Sequence, residues 1–141
     1  MLSWPSNISS TPVEIAERNS PLIFHEKRMI PGSGGAGKFR GGLGQEIRIE
    51  NESPTPIVMS FMAERTTYPA PGLAGGRPGG RGDVRLNGKR IDNRKQYLLR
   101  PGDEIVLRTP GGGYGPARAR DKKLAERDRA LGDVPTSRGK R

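Results

Sequence analysis

At 141 residues the chain has room for one domain with one modest core, since domains commonly run to about 100–150 residues. Apolar residues make up 31% and mean hydropathy is −0.72, low for a compact globule and pointing either to disordered portions or to dependence on a partner surface, and 21 glycines with 13 prolines point to loop-heavy β structure. The absence of cysteine excludes a disulfide framework, a zinc–thiolate centre and a cysteine nucleophile, while the net charge of +10 keeps nucleic acid or an acidic partner in play.

In chain order, Thr11, Pro12 and Glu14 predict a short helix to about Asn19, with a capping hydroxyl, proline at the first helical position and a glutamate closing a capping box. Leu22 to Ile30 reads as a strand. Gln45 to Glu50 alternates, Ile47 and Ile49 on one side against Glu46, Arg48 and Glu50 on a wet face. Ile57 to Met62 is a more apolar strand. Thr67 to Gly82 is a glycine- and proline-studded loop, longer than the usual connection and of the kind that is functional or docked. Asn87-Gly88 between Asp83–Leu86 and Lys89–Ile91 signals a type I′ hairpin. Pro101-Gly102 sets a type II turn into a strand over Glu104–Thr109, and Gly111 to Gly115 is another glycine loop.

Ala117 to Leu131 reads as a helix stopped by Gly132, with Leu124, Asp128 and Leu131 on one thin stripe. From Arg118 onward nine Lys and Arg face four acids, so half the surplus charge lies in the last fifth of the chain. The expected organisation is a β-rich domain over 1–116, a basic helix over 117–132 and a disordered tail over 133–141. The fold class is mainly β, in largely antiparallel sheets with glycine-rich loops, a short N-terminal helix and a C-terminal helix.

The stretch from Met29 to Gly44 carries Gly32, Gly37 and Lys38 at the spacing of a phosphate-binding loop. Phe39 stands where a magnesium-binding hydroxyl is needed, and Gly41, Gly42 and Gly44 deny the helix whose positive end would face the anion. A structural glycine loop made of Gly34, Gly35, Gly37, Gly41, Gly42 and Gly44 is therefore expected. The single His25 and the scattered carboxylates offer no metal-ligand spacing, so no metal is assigned to this chain. Glu64 and Arg65 leave a strand directly ahead of the long loop, where they form an ion pair or contact a bound group. Arg-Gly-Gly steps near Arg40, Arg77 and Arg81, together with the basic tail, make a small RNA-binding module the competing reading. No run reaches the roughly 18 apolar residues of a membrane span, and the N-terminus lacks a signal-peptide pattern, so a cytoplasmic chain without membrane contact is expected.

Four blocks stand in order along nearly the whole chain: PSNISSTPVEIAERNSPL, GSGGAGKFRGGLG, AERTTYPAPGLAGGRPGGRG and LRPGDEIVLRTPGGGYG. Together they resemble the C-terminal part of the hydantoinase B/oxoprolinase family. The resemblance implies part of an ATP-dependent hydrolase of cyclic amides such as hydantoins and 5-oxoproline, or a related ketone carboxylase, inactive alone. It implies ATP and a divalent metal in the full complex and no cofactor in this chain. Its partners would be a hydantoinase A-like subunit, which carries the nucleotide site, and the missing N-terminal part of hydantoinase B, with oligomerisation expected. Glu64, Arg65, Gly75 and Gly76 are the candidates for substrate or interface contact. Many members of the family place an aspartate after the last tyrosine-glycine pair, where this chain has Pro116.

Overall fold

The computed structural model describes residues 2–3, 8–9, 11–61, 63, 65–109 and 111–135. In chain order its elements are β1 (Leu2–Ser3), β2 (Ile8–Ser9), α1 (Val13–Asn19), β3 (Leu22–Ile30), β4 (Gly44–Asn51), β5 (Ile57–Ser60), β6 (Asp83–Leu86), β7 (Lys89–Arg90), β8 (Gln96–Leu99) and β9 (Glu104–Arg108), then a 3-10 turn (Ala117–Ala119) and α2 (Lys122–Ala130). The fold is mainly β and antiparallel. Five strands form one sheet in the order β3-β4-β9-β6-β7, while β1-β2 and β5-β8 form two-stranded ribbons.

The turns follow the local chemistry. Asn87 and Gly88 both take positive φ, 49° and 76°, between β6 and β7, as a type I′ turn requires. Gly102 takes φ 80° ahead of β9, and the Asp103 amide donates to the Arg100 carbonyl at 3.0 Å. At α1 the outcome differs from the capping box expected at Thr11. Pro12 is the N-cap and no side chain caps the helix, because a proline with extended ψ already fixes the entry and the Ala16 amide bonds back to the Pro12 carbonyl.

The aliphatic core is small: Ile49, Val84, Leu99 and Ile105 are the buried apolar side chains among the described residues. Ile49 faces Ile105, and Val84 faces Leu107, across neighbouring strands. Leu99 comes from β8, a strand the sequence reading omits. It is tied in by fully buried Asn51, which donates from its side-chain amide to the Leu99 carbonyl and accepts from the Ser53 amide.

The face of β4 expected to be wet is not uniformly so. Arg48 is exposed, but Glu46 is buried. Register places Glu46 between Arg28 of β3 and Arg108 of β9, and both guanidiniums bond its carboxylate. Burial pushes the Glu46 carboxyl up, but the hydrogen bonds and charges of Arg28 and Arg108 outweigh that and hold it below the ordinary carboxylate value. His25 has a structural partner on the same sheet, Glu50 at 2.5 Å.

The strand expected to reach Met62 ends at Ser60, and Met62 lies outside the described residues. The helix expected over Ala117–Leu131 is divided at Arg120, because Asp121 begins α2 as an N-cap whose carboxylate accepts from the Leu124 amide. Of the expected stripe, Leu124 and Leu131 are exposed and Asp128 is the buried member. Residues 133–135, expected in the disordered tail, fold back: the Gly32 amide donates to the Asp133 carbonyl at 2.8 Å.

Candidate functional site

Two features stand out from the sheet, a junction of three glycine loops and a cleft beside Arg65. In the junction, residues 33–44, 70–80 and 111–116 meet backbone to backbone. Gly35 N–H donates to the Gly111 carbonyl, Gly113 N–H to Arg77 and Arg77 N–H to Ala36. Phe39 and Tyr114 exchange a pair of bonds at 2.9 Å, and Leu73 and Gly115 close the third side, Leu73 N–H donating to Gly113 and Gly115 N–H to Leu73.

Such closeness needs residues without side chains. A methyl group built on Gly34, Gly35, Gly37, Gly41 or Gly76 would fall well inside 3 Å of a neighbouring backbone atom. The close neighbour of these glycines is therefore this chain's own backbone. Gly42 differs, being exposed with nothing within 4 Å of the added carbon. Gly44 opens β4 and donates to the Ser33 hydroxyl, while Gly75 provides the positive φ of 85° that turns the 70–80 loop.

The same bonds decide the phosphate-loop question. The amides of Gly35, Lys38, Phe39 and Gly41 already donate to carbonyls within the junction. A phosphate cradle needs those donors pointing at an anion. The segment after Lys38 is a bridge to Tyr114 and not a helix. The residues at this loop do not fit a nucleotide.

The C-terminal segment locks the junction from one side. Arg40 reaches Asp133 at 2.7 Å and Asp128 at 3.3 Å, and Arg120 meets Asp128 at 2.6 Å and donates to the Lys38 carbonyl. Gly132, at φ 73°, ends α2 in a Schellman motif, with its N–H bonded to Arg129 and that of Asp133 bonded to Asp128. The two positions that usually make a hydrophobic contact in that motif are here two carboxylates converging on Arg40. Sequence patterning missed Arg120, Asp128 and Asp133, since Asp128 reads as a polar break in a leucine stripe.

The cleft beside Arg65 has a volume of about 580 Å³ and is lined by Phe61, Thr66, Thr67, Tyr68, Asn93 and Arg94 among others. Arg65 holds φ 65°, a left-handed conformation uncommon outside glycine and asparagine, and its carbonyl accepts from the Gly82 amide. Asn93 fixes the floor, donating to the Ala63 carbonyl and accepting from the Thr66 hydroxyl. Arg90 adds a bond to the Thr66 carbonyl. Glu64, the expected partner of Arg65, lies outside the described residues. Asn93 and Arg94 went unnoticed in the sequence. Their only local signal is the Asp92 carboxylate accepting the Arg94 amide, a turn of the Asx type.

The chain is 35% identical over 115 residues to 5-oxoprolinase 1 of Arabidopsis thaliana, an overlap of 77% of this chain and 9% of that protein. It is 29% identical over 123 residues to the caprolactamase subunit beta of Pseudomonas jessenii, 77% of this chain and 20% of that one. The crystal structure of ATP-dependent caprolactamase from P. jessenii superposes with a TM-score of 0.73 at 26% identity, over 89% of this chain and 23% of that chain. A nucleotide-free acetone carboxylase shares the fold with a TM-score of 0.75, at 20% identity, over 93% of this chain and 22% of that one. The chain thus spans between about a tenth and under a quarter of the curated relatives it matches. The family model described as hydantoinase B/oxoprolinase matches residues 1–117, and the chain belongs to that family.

Proposed function

We propose that this chain is the C-terminal unit of a hydantoinase B-type subunit, working in the cytoplasm within an ATP-dependent hydrolase of cyclic amides and inactive alone. A hydantoinase A-like subunit holds ATP in that assembly, and the rest of the B-type polypeptide holds the metal. Among the described residues no three His, Cys, Asp or Glu side chains converge where a cation could sit.

The observation that supports the reading is how the glycine blocks are spent. Three of the four stretches carrying the family resemblance satisfy one another's backbone groups, which suits a rigid scaffold better than a site that binds phosphate. Arg65 is the proposed contact to substrate or to a neighbouring subunit, with Glu64 beside it in sequence. A residue held in a sparsely populated conformation costs on the order of 1–3 kcal/mol, and such residues cluster where function requires them. Gly75 and Gly76 form the adjoining interface candidate, at the outer turn of the junction.

The test is reconstitution with an A-like subunit and the body of a B-type polypeptide, with ring-opened product and ADP both measured. Arg65→Ala in the complex is expected to lower kcat/KM by about tenfold to a hundredfold. Lys38→Ala is expected to leave ATP affinity within about twofold, the loop amides being already committed. Equal turnover with and without this chain, or turnover by this chain alone, would overturn the proposal.

A further inference from the structure

The outer surface of the glycine junction carries a row of apolar side chains. The Phe39–Tyr114 and Leu73–Tyr114 bridges set the three residues side by side, and all three are more than half exposed, at 56%, 53% and 63%. The rings of Phe39 and Tyr114 lie 6.3 Å apart, centroid to centroid. Apolar rows of this kind on a rigid support mark docking surfaces.

The charges around the row give the partner a sign. From Met29 to Gln45, from Arg65 to Gly82 and from Thr109 to Arg120 the sequence holds Lys38, Arg40, Arg65, Arg77, Arg81, Arg118 and Arg120, and no Asp or Glu. Arg40 and Arg120 are neutralised by Asp128 and Asp133. Lys38 and Arg77 stand on the junction loops themselves and make no ion pair among the described residues, which leaves this surface positive, so the matching surface has an apolar centre and an acidic rim.

We infer that the Phe39–Leu73–Tyr114 row is the face on which this unit docks to the body of a hydantoinase B-type polypeptide, whether joined to it or separate. The inference rests on the functional reading above. In caprolactamase the matching region is about a fifth of the β subunit, and the four buried aliphatic side chains among the described residues give this unit little apolar cohesion of its own. A protein surface fits better than RNA: Lys38 Nζ lies 5.6 Å from the centroid of the Phe39 ring, over its face, and Leu73 offers no stacking plane.

The experiment places a photo-crosslinking benzoylphenylalanine at Tyr114 of the full chain in its native cells, with Lys89 as control. Lys89 sits on the hairpin at the far end of β6 from the junction. The expected result is an adduct with a hydantoinase B-type polypeptide, identified by mass spectrometry and about tenfold stronger from position 114 than from 89. Phe39→Asp and Leu73→Asp should each reduce it by about tenfold, and Lys38→Glu with Arg77→Glu by a smaller factor. The wild-type crosslink needs none of these variants to fold, and hydrogen exchange at the Gly35 amide checks that they keep the junction.

An adduct of two copies of this chain, an RNA adduct, an unrelated protein, or a B-type adduct equally strong from position 89 would each overturn the inference. If the adduct is undiminished by Phe39→Asp while ATP-dependent amide hydrolysis persists, the docking face fails and the functional reading stands. If neither hydantoinase-type polypeptides nor that activity accompany the chain, both fall.

Discussion

In the five-stranded sheet, side chains do the joining. Glu46 is gripped by Arg28 and Arg108 across two strands, and Ile49 and Ile105 fill the space beneath. Each of these groups has rotamers, so a change at one position can be absorbed at the next. In the glycine junction the backbone does the joining, with side chains only at its margin: carbonyls and amides from three loops meet where a methyl group would fall inside 3 Å, while Ser33, Arg40 and Arg120 bond at the edge. A tolerant region and an intolerant one therefore share one small domain, and the exposed Phe39, Leu73 and Tyr114 keep their places only while the intolerant one keeps its shape.

The largest way to break this contrast is Gly35→Ala. The added carbon would meet the Arg77 carbonyl and the Gly113 amide, both backbone, with no side chain to swing aside. Overpacking of side-chain cores costs typically about 1–3 kcal/mol. Here two loops must separate, so a loss of about 3 kcal/mol or more is expected. Denaturant unfolding measures it, and hydrogen exchange should show the amides of Lys38 and Gly113 losing protection together. A cost below about 1 kcal/mol would mean that the junction flexes as the sheet does.

The two regions were unequally legible in the sequence, for a physical reason. β3, β4, β9 and the Asn87-Gly88 and Pro101-Gly102 turns are written in local patterns: apolar β-formers after Pro21 for β3, period-two alternation for β4 and β9, and a dipeptide with a fixed φ demand for the turns. The Gln96–Leu99 strand has no alternation and pairs with residues 57–60 far upstream, so nothing local announces it. The burial of Glu46 depends on register with Arg28 and Arg108, again a non-local fact. The glycine loops were recognisable as loops. That they close on each other requires knowing where residues 35, 77 and 113 lie together. The family resemblance named those blocks without saying that their glycines serve one another.

A middle-sized effect comes from the sheet. Glu46→Gln keeps the shape, removes one charge and weakens two guanidinium bonds, and should cost about 1–2 kcal/mol. The pH dependence carries the sign. The folded Glu46 carboxyl is held below its ordinary value of 4.5, so the unfolded chain binds the proton more readily. The contribution is full above about pH 4.5 and disappears as pH falls through the depressed folded value. Asp103 acts in the same direction, its carboxyl lowered by hydrogen bonds from Asn87 and the Arg100 amide. Glu46→Gln should flatten the acid limb of the stability curve without removing it. An unchanged limb would show that the clamp adds nothing to acid stability.

The smallest effect is also the sharpest control on the comparison. Gly42 sits beside Gly41 in the same loop, and a side chain there meets nothing within 4 Å. Its φ lies outside the left-handed region, so alanine is not strained by the backbone and restricts the unfolded chain. Gly42→Ala should therefore be neutral or stabilising by up to about 1 kcal/mol, where its neighbour Gly41, packed against the Gly112 backbone, should behave like Gly35. The pair separates two explanations of glycine richness. If loops need glycine for flexibility, both substitutions should cost alike. If they need it for backbone contact, the cost should switch within one residue, from Gly41 facing Gly112 to Gly42 facing solvent. Thermal unfolding of the two variants side by side decides between them, and equal melting temperatures would reject the contact account.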